Sequence, residues 1–173
     1  LRGSGVTTAR YTGPAIALHW LVAALVLATI PLGLYMTELP LSPRKLQLYA
    51  YHKWIGVSVF LLAVLRLLWR LGHRPPPPAP GLPAWQRRAA QAAHGALYVL
   101  IFAVPLSGWV YSSAVGVPTV YLGLWQLPDL VSRNRDLADA LKPVHVFLAY
   151  AMAALVAIHI GAAVGSASGQ RLG

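Results

Sequence analysis

Residues 143–165, PVHVFLAYAMAALVAIHIGAAVG, decide the fold, because they combine an uninterrupted apolar run with two histidines, His145 and His159. The run holds no Asp, Glu, Lys or Arg, and about 20 such residues suffice to cross the hydrocarbon of a bilayer as a helix. At 1.5 Å rise per residue, the fourteen positions from His145 to His159 span about 21 Å. At roughly 100° per residue they end about 40° short of whole turns, so both imidazoles leave the helix on nearly the same side. One membrane helix therefore offers a nitrogen donor at each of two depths along one face.

Three further spans are expected from the same reasoning. Residues 15–36 carry no formal charge, and neither do residues 92–113. Residues 49–70 read as a span if Lys53 and Arg66 lie near its ends and extend towards the headgroups, with Tyr49, Tyr51, Trp54 and Trp69 as interfacial aromatics. The composition agrees, with 57% apolar and only 10% charged residues, far from the quarter or so of charged residues in a soluble domain. The 173 residues are expected to form one four-helix transmembrane domain, 1–173. Residues 1–6 lack the layout of a cleaved signal peptide, so the first apolar run is expected to stay as a span.

The charge of +10 would suggest nucleic acid in a soluble chain; here it lies between spans and reads as loop charge that orients the protein, with no nucleic acid implied. One side collects both termini and the proline-rich stretch 74–81, with Arg2, Arg10, Arg66, Arg70, Arg74, Arg87, Arg88, Arg171 and no acid. The other holds Arg44, Lys45, Lys53, Arg133, Arg135, Lys142 and all four acids. The positive-inside rule then places the termini in the cytoplasm. The prolines of 74–81 fix an extended connector. The stretch 129–141 spaces Leu130, Leu137 and Leu141 among charges, as a short helix on the outer membrane surface does. The absence of cysteine excludes disulfides, iron–sulfur clusters and covalently attached haem.

Five of the six histidines fall within spans, where a polar side chain is costly and marks function or helix packing. They form two layers. His52 and His145 lie towards the outer side, and His19, His94 and His159 towards the inner side. Two sites of two histidines each, in a four-helix core, are what two b-type haems require. The outer site is His52 with His145, since no other histidine shares that depth; at the inner depth His19 and His94 both remain candidates beside His159. His73 reads as a surface histidine. Gly33 and Gly108 follow His19 and His94 by fourteen positions, and Gly56 lies one turn after His52, so these three glycines are expected to clear space for a macrocycle or to allow close packing. Arg66, fourteen after His52, is expected to meet haem propionates or lipid headgroups. Lys53 and Lys142, with Arg44 and Lys45, supply positive charge at the outer end that could steer an anion, or are plain solvated charge.

Together the segment Ala17-Leu18-His19-Trp20, His52 with Gly56, Arg66-Leu67-Leu68-Trp69-Arg70, the proline-rich loop, His94 and the His145/His159 pair resemble the bacterial cytochrome b561 family, from about Tyr11 to His159. The resemblance implies a four-helix protein of the bacterial inner membrane with two haem b groups. It implies His19 with His159 on the cytoplasmic haem and His52 with His145 on the periplasmic one, leaving His94 outside the ligand set. It implies superoxide oxidation at the periplasmic face, with electrons passed to ubiquinone. The alternative is a di-haem module or anchor that serves a separate redox partner. Ala17 and Ser166 stand where the family usually carries a serine and a histidine near the quinone, so a quinone here would draw on His94, Arg10 or Ser166. The first consequence is optical: the purified, dithionite-reduced protein is expected to show the sharp bands of low-spin b haem, and a featureless difference spectrum would refute the haem reading.

Overall fold

The computed structural model describes residues 11–73, 76 and 83–169, with side chains as far as 165. Apart from Pro76, the connector 74–81 lies outside the described residues, as do Arg2, Arg10, Arg171 and the side chain of Ser166. Four long helices dominate: α1 (Gly13–Glu38), α2 (Pro43–Gly72), α3 (Ala84–Val115) and α4 (Arg135–Gly169), with a two-stranded antiparallel hairpin, β1 (Val120–Tyr121) and β2 (Trp125–Gln126), between α3 and α4. All four helices are long and apolar enough to cross a membrane. The chain is a four-span membrane protein.

The helix ends follow from local chemistry. Pro14 opens α1, where its missing N–H has no helical partner to lose, and Leu39-Pro40 stop it. Ser42 caps α2 by accepting from the Lys45 amide at 3.3 Å, with Pro43 in the first turn. Asn134 caps α4, accepting from the Leu137 amide at 3.0 Å. α3 ends on Gly116, whose φ of 81° turns the chain left-handed while its N–H closes back on Ser112 and Ser113. Each helix overruns its expected span; α3 begins at Ala84 rather than near 92, because nothing before 92 breaks a helix once prolines end at Pro83.

The expected surface helix over 129–141 is not a separate element. Residues 129–134 are non-helical, and the helical part, from Arg135, is continuous with the α4 span. The amphipathic pattern was real, but Pro143 sits in the interior of α4 without ending it, so the two expected helices are one. The remainder of that connection forms the hairpin, with Val120 opposite Gln126 and Tyr121 opposite Trp125.

α1 packs on α2, α3 packs on α4, and α2 meets α3; α4 makes no comparable backbone approach to α1 or α2 among the described residues. The core is accordingly thin. Val22, Val26, Val59 and Met152 are buried together, joined by partly buried aliphatics such as Leu62, Ile101 and Val156. Met152 lies seven residues from both His145 and His159, so this cluster sits at mid-bundle. The outward faces are apolar, as at Leu61, Leu65, Val99 and Phe147, which suits lipid rather than water. The best-buried polar groups, Ser112, Ser113 and Thr119, gather where α3 turns into the connection. There the Arg133 stem lies over Gly116, 2.9 Å from where a Cβ would be. Gly116→Ala combines that clash with a left-handed backbone, and is expected to destabilise by roughly 1–3 kcal/mol, read as a lower unfolding temperature in detergent.

Candidate functional site

The four apolar helices bring five histidines into the bundle, and the structure sorts them into an outer couple and an inner group. In the outer couple, His52 of α2 and His145 of α4 have ring centres 6.3 Å apart. In the inner group, His19 of α1 and His159 of α4 are 6.4 Å apart, whereas His94 of α3 stands only 5.3 Å from His159. Both couples bridge helices whose backbones do not otherwise approach closely. No cluster of three or more His, Cys, Asp or Glu placed to hold a metal ion occurs among the described residues.

The outer imidazoles are held by polar groups on the neighbouring helix. His145 Nδ1 lies 3.1 Å from the Val104 carbonyl and 3.0 Å from Ser107 Oγ. A carbonyl can only accept, so Nδ1 carries the proton and Nε2 keeps its lone pair for a metal. His52 Nδ1 lies 3.1 Å from Thr29 Oγ1. These three residues escaped the sequence reading. Their signal was present, since Thr29 lies one turn before Gly33 and Ser107 directly precedes Gly108, but a lone hydroxyl in an apolar span is usually bonded to its own helix.

The glycines have specific neighbours. A Cβ on Gly108 would fall 2.9 Å from His145 Cε1, and one on Gly33 would fall 3.1 Å from His52 Cε1. Both positions thus make room for the imidazole that leans on their helix. Gly56 faces open space, with nothing within 4 Å of its missing Cβ, on the same side of α2 as His52. At the inner end the guanidiniums of Arg66 and Arg70 each lie 5.4 Å from the Tyr98 ring centre, a cation–π arrangement between α2 and α3. Both act electrostatically on His94, and Arg66 also on His19. His73 stacks on Trp69 at 4.1 Å, at the end of α2.

The outer cations differ from one another. Lys53 donates to the carbonyls of Val117 at 3.2 Å and Pro118 at 3.3 Å, so its ammonium ties α2 to the connection after α3. Lys45 donates to Leu39 O at 2.6 Å and caps α1. Arg44 and Lys142 are exposed.

Four membrane spans whose interior donors are opposed imidazoles are the framework of a membrane-embedded b-type cytochrome. The chain belongs to the prokaryotic cytochrome b561 family, whose model matches residues 10–171. It is 34% identical over 154 residues to cytochrome b561 homolog 2 of Escherichia coli (strain K12), covering 88% of this chain and 82% of that one. Cytochrome b561 homolog 1 of the same organism is 29% identical over 155 residues, 89% and 88% of the two chains. A protein of Yersinia pestis named probable superoxide oxidase CybB is 29% identical over 159 residues, 89% and 86%.

The family implies b-type haem, and the residues present fit it. An imidazole nitrogen stands about 2.0–2.1 Å from a bound metal ion and about 1.1 Å from its ring centre, so two rings sharing one ion have centres about 6.2–6.4 Å apart. The spacings of 6.3 and 6.4 Å meet that figure, and the 5.3 Å of His94 falls short. The glycine contacts generate a contrast: Gly108→Ala is expected to lower the unfolding temperature by pushing His145 aside, while Gly56→Ala leaves the haem-free protein unchanged. Equal losses in both would contradict the assignment of Gly108 to imidazole clearance.

Proposed function

We propose that this chain carries electrons across the bacterial inner membrane through two b-type haems, taking them from superoxide at the periplasmic face and delivering them to ubiquinone near the cytoplasmic face. The observation that carries the reading is the pair of opposed imidazole couples, 6.3 and 6.4 Å across, at two depths of one bundle. His52 and His145 would hold the outer haem and His19 and His159 the inner one. The bound haems would supply one-electron carriers at the two depths.

The chain's own residues do the rest. Val104, Ser107 and Thr29 hold the outer rings at Nδ1, which leaves each Nε2 for a metal. Gly33 and Gly108 let those rings stand against α1 and α3. Met152, Val22, Val26 and Val59 fill the bundle between the couples with aliphatic side chains, which keeps water out of the middle. Arg66 and Arg70 form a cationic inner end without an acid in either α2 or α3, suited to propionates or to a quinone being reduced, with His94 as a further hydrogen-bonding group on α3. Positive charge for an incoming anion rests on Lys142 and Arg44, which are exposed, and less on Lys53, whose ammonium is engaged by two carbonyls. The name of the Yersinia pestis relative supports superoxide as donor. The same framework suits the second reading, a module that passes electrons to or from a separate redox protein, since the two imidazole couples would serve either donor alike.

Two measurements test this together. His52→Ala and His145→Ala are each expected to halve the haem content, as are His19→Ala and His159→Ala, while His94→Ala keeps both haems. Quinone-loaded protein mixed with superoxide in a stopped-flow cell is expected to show haem reduction faster than spontaneous dismutation. Full haem loading without such reduction, together with a redox subunit co-purifying from native membranes, would shift the reading to the second.

A further inference from the structure

The connection after α3 does something its sequence pattern did not announce. Trp54, Ser58, Leu61 and Leu65 recur at helical spacing and form one stripe along α2, on the side opposite His52, Val59 and Ala63. Deeper in the bundle this stripe is bare, with Leu61 47% and Leu65 53% exposed. Nearer the α1–α2 turn it is covered by the hairpin: Trp54 Nε1 donates to Val120 O at 2.7 Å, and the Tyr121 hydroxyl meets Ser58 Oγ at 2.9 Å. The hairpin thus lies on the back of α2, away from the imidazole couples.

Its depth follows from the same contacts. His52 is level with Gly33, which it touches, and Gly33 lies five residues short of the α1 end at Glu38. Ser58 is six residues further along α2 than His52, so the Tyr121–Ser58 contact sits about 16 Å below the level of Glu38 at 1.5 Å per residue. Half of a hydrocarbon core of about 30 Å is about 15 Å. The hairpin backbone, one tyrosine length above Ser58, is therefore level with the outer couple and below the helix ends.

The composition suits that depth. Residues 117–128 contain no charge. Several backbone groups are engaged locally: the strands pair, Gly123 N–H donates to Val120 O and Leu124 N–H to Tyr121 O, and Trp54 donates to Val120 O from α2. The turn has positive φ at Leu122 (54°) and Gly123 (72°), the two-residue geometry that favours Asn-Gly. A leucine there, half exposed, fills no core. Beside it Leu124 is 78% and Trp125 72% exposed.

We propose that the hairpin 120–126 is a membrane-embedded element, lodged in the leaflet at the α1–α2 turn, with Leu122, Leu124 and Trp125 against lipid acyl chains. It continues the lipid-facing stripe of Leu61 and Leu65 and broadens the wall behind the outer couple. Lipid is the occupant that both the depth and the bare apolar surface of Leu61 and Leu65 select over a second copy or a partner protein.

The chain has no cysteine, so single sites can be labelled without background. Leu124→Cys and Trp125→Cys carrying a nitroxide are compared with Leu65→Cys (bare α2 stripe) and Asp139→Cys (exposed start of α4). The full, haem-loaded protein is used, in phosphatidylethanolamine/phosphatidylglycerol nanodiscs, with variants accepted on an unchanged haem spectrum. Collision with oxygen, which partitions into lipid, is measured against collision with a water-soluble nickel chelate. The expected oxygen-to-chelate ratio at 124 and 125 is at least threefold that at 139 and close to that at 65. A ratio matching 139 means a hairpin in water, and protection from both reagents means a protein cover; either result overturns the proposal.

Discussion

An imidazole inside a bilayer must be answered by something, because hydrocarbon offers it neither hydrogen bond nor charge. In this bundle the answer comes in two parts. One ring nitrogen of each outer histidine is engaged by a neighbouring helix, through Val104 and Ser107 for His145 and Thr29 for His52. Across the bundle the two rings stand opposite each other at a spacing that suits a shared metal. The helix pairs α1·α2 and α3·α4 are arranged around that requirement. Among the described residues α4 makes no close backbone approach to α1 or α2; its histidines, and Met152 between them, reach those helices by side chain.

The packing elsewhere reflects the same constraint. A bundle that filled its interior with large side chains would leave no room for a bound group, and among the described residues no large side chain is fully buried. Only a small aliphatic cluster at mid-bundle, around Val26, Val59 and Met152, closes the space between the two couples. The outer end is organised differently, by hydrogen bonds. Lys53, Trp54 and Ser58 hold the connection after α3, and Ser112 and Ser113 fasten its root. Among these ties Lys53 brings a formal charge, its ammonium held by the Val117 and Pro118 carbonyls.

Much of the architecture was legible in the sequence because a membrane enforces simple rules. Apolar length gives the spans, and a fourteen-residue spacing gives two depths on one face, as at His145 and His159. The helix ends at Pro14, Ser42 and Pro43 rest on local chemistry that apolar length alone does not mark. The pattern over 129–141 was read correctly as amphipathic but wrongly as a separate helix. A proline near a helix start is compatible with either outcome, and only the continuous backbone of α4 decides.

The sequence by itself determined that this is a four-span membrane protein with histidines at two levels, since both follow from one-dimensional spacing. The tertiary structure decided what lies next to what. It set His19 rather than His94 at the longer spacing from His159, turned Gly33 and Gly108 towards imidazoles, and folded residues 120–126 down the back of α2. Those are contacts between segments far apart in the chain. They depend on helix rotation and on a left-handed turn at Leu122 that no local preference favours.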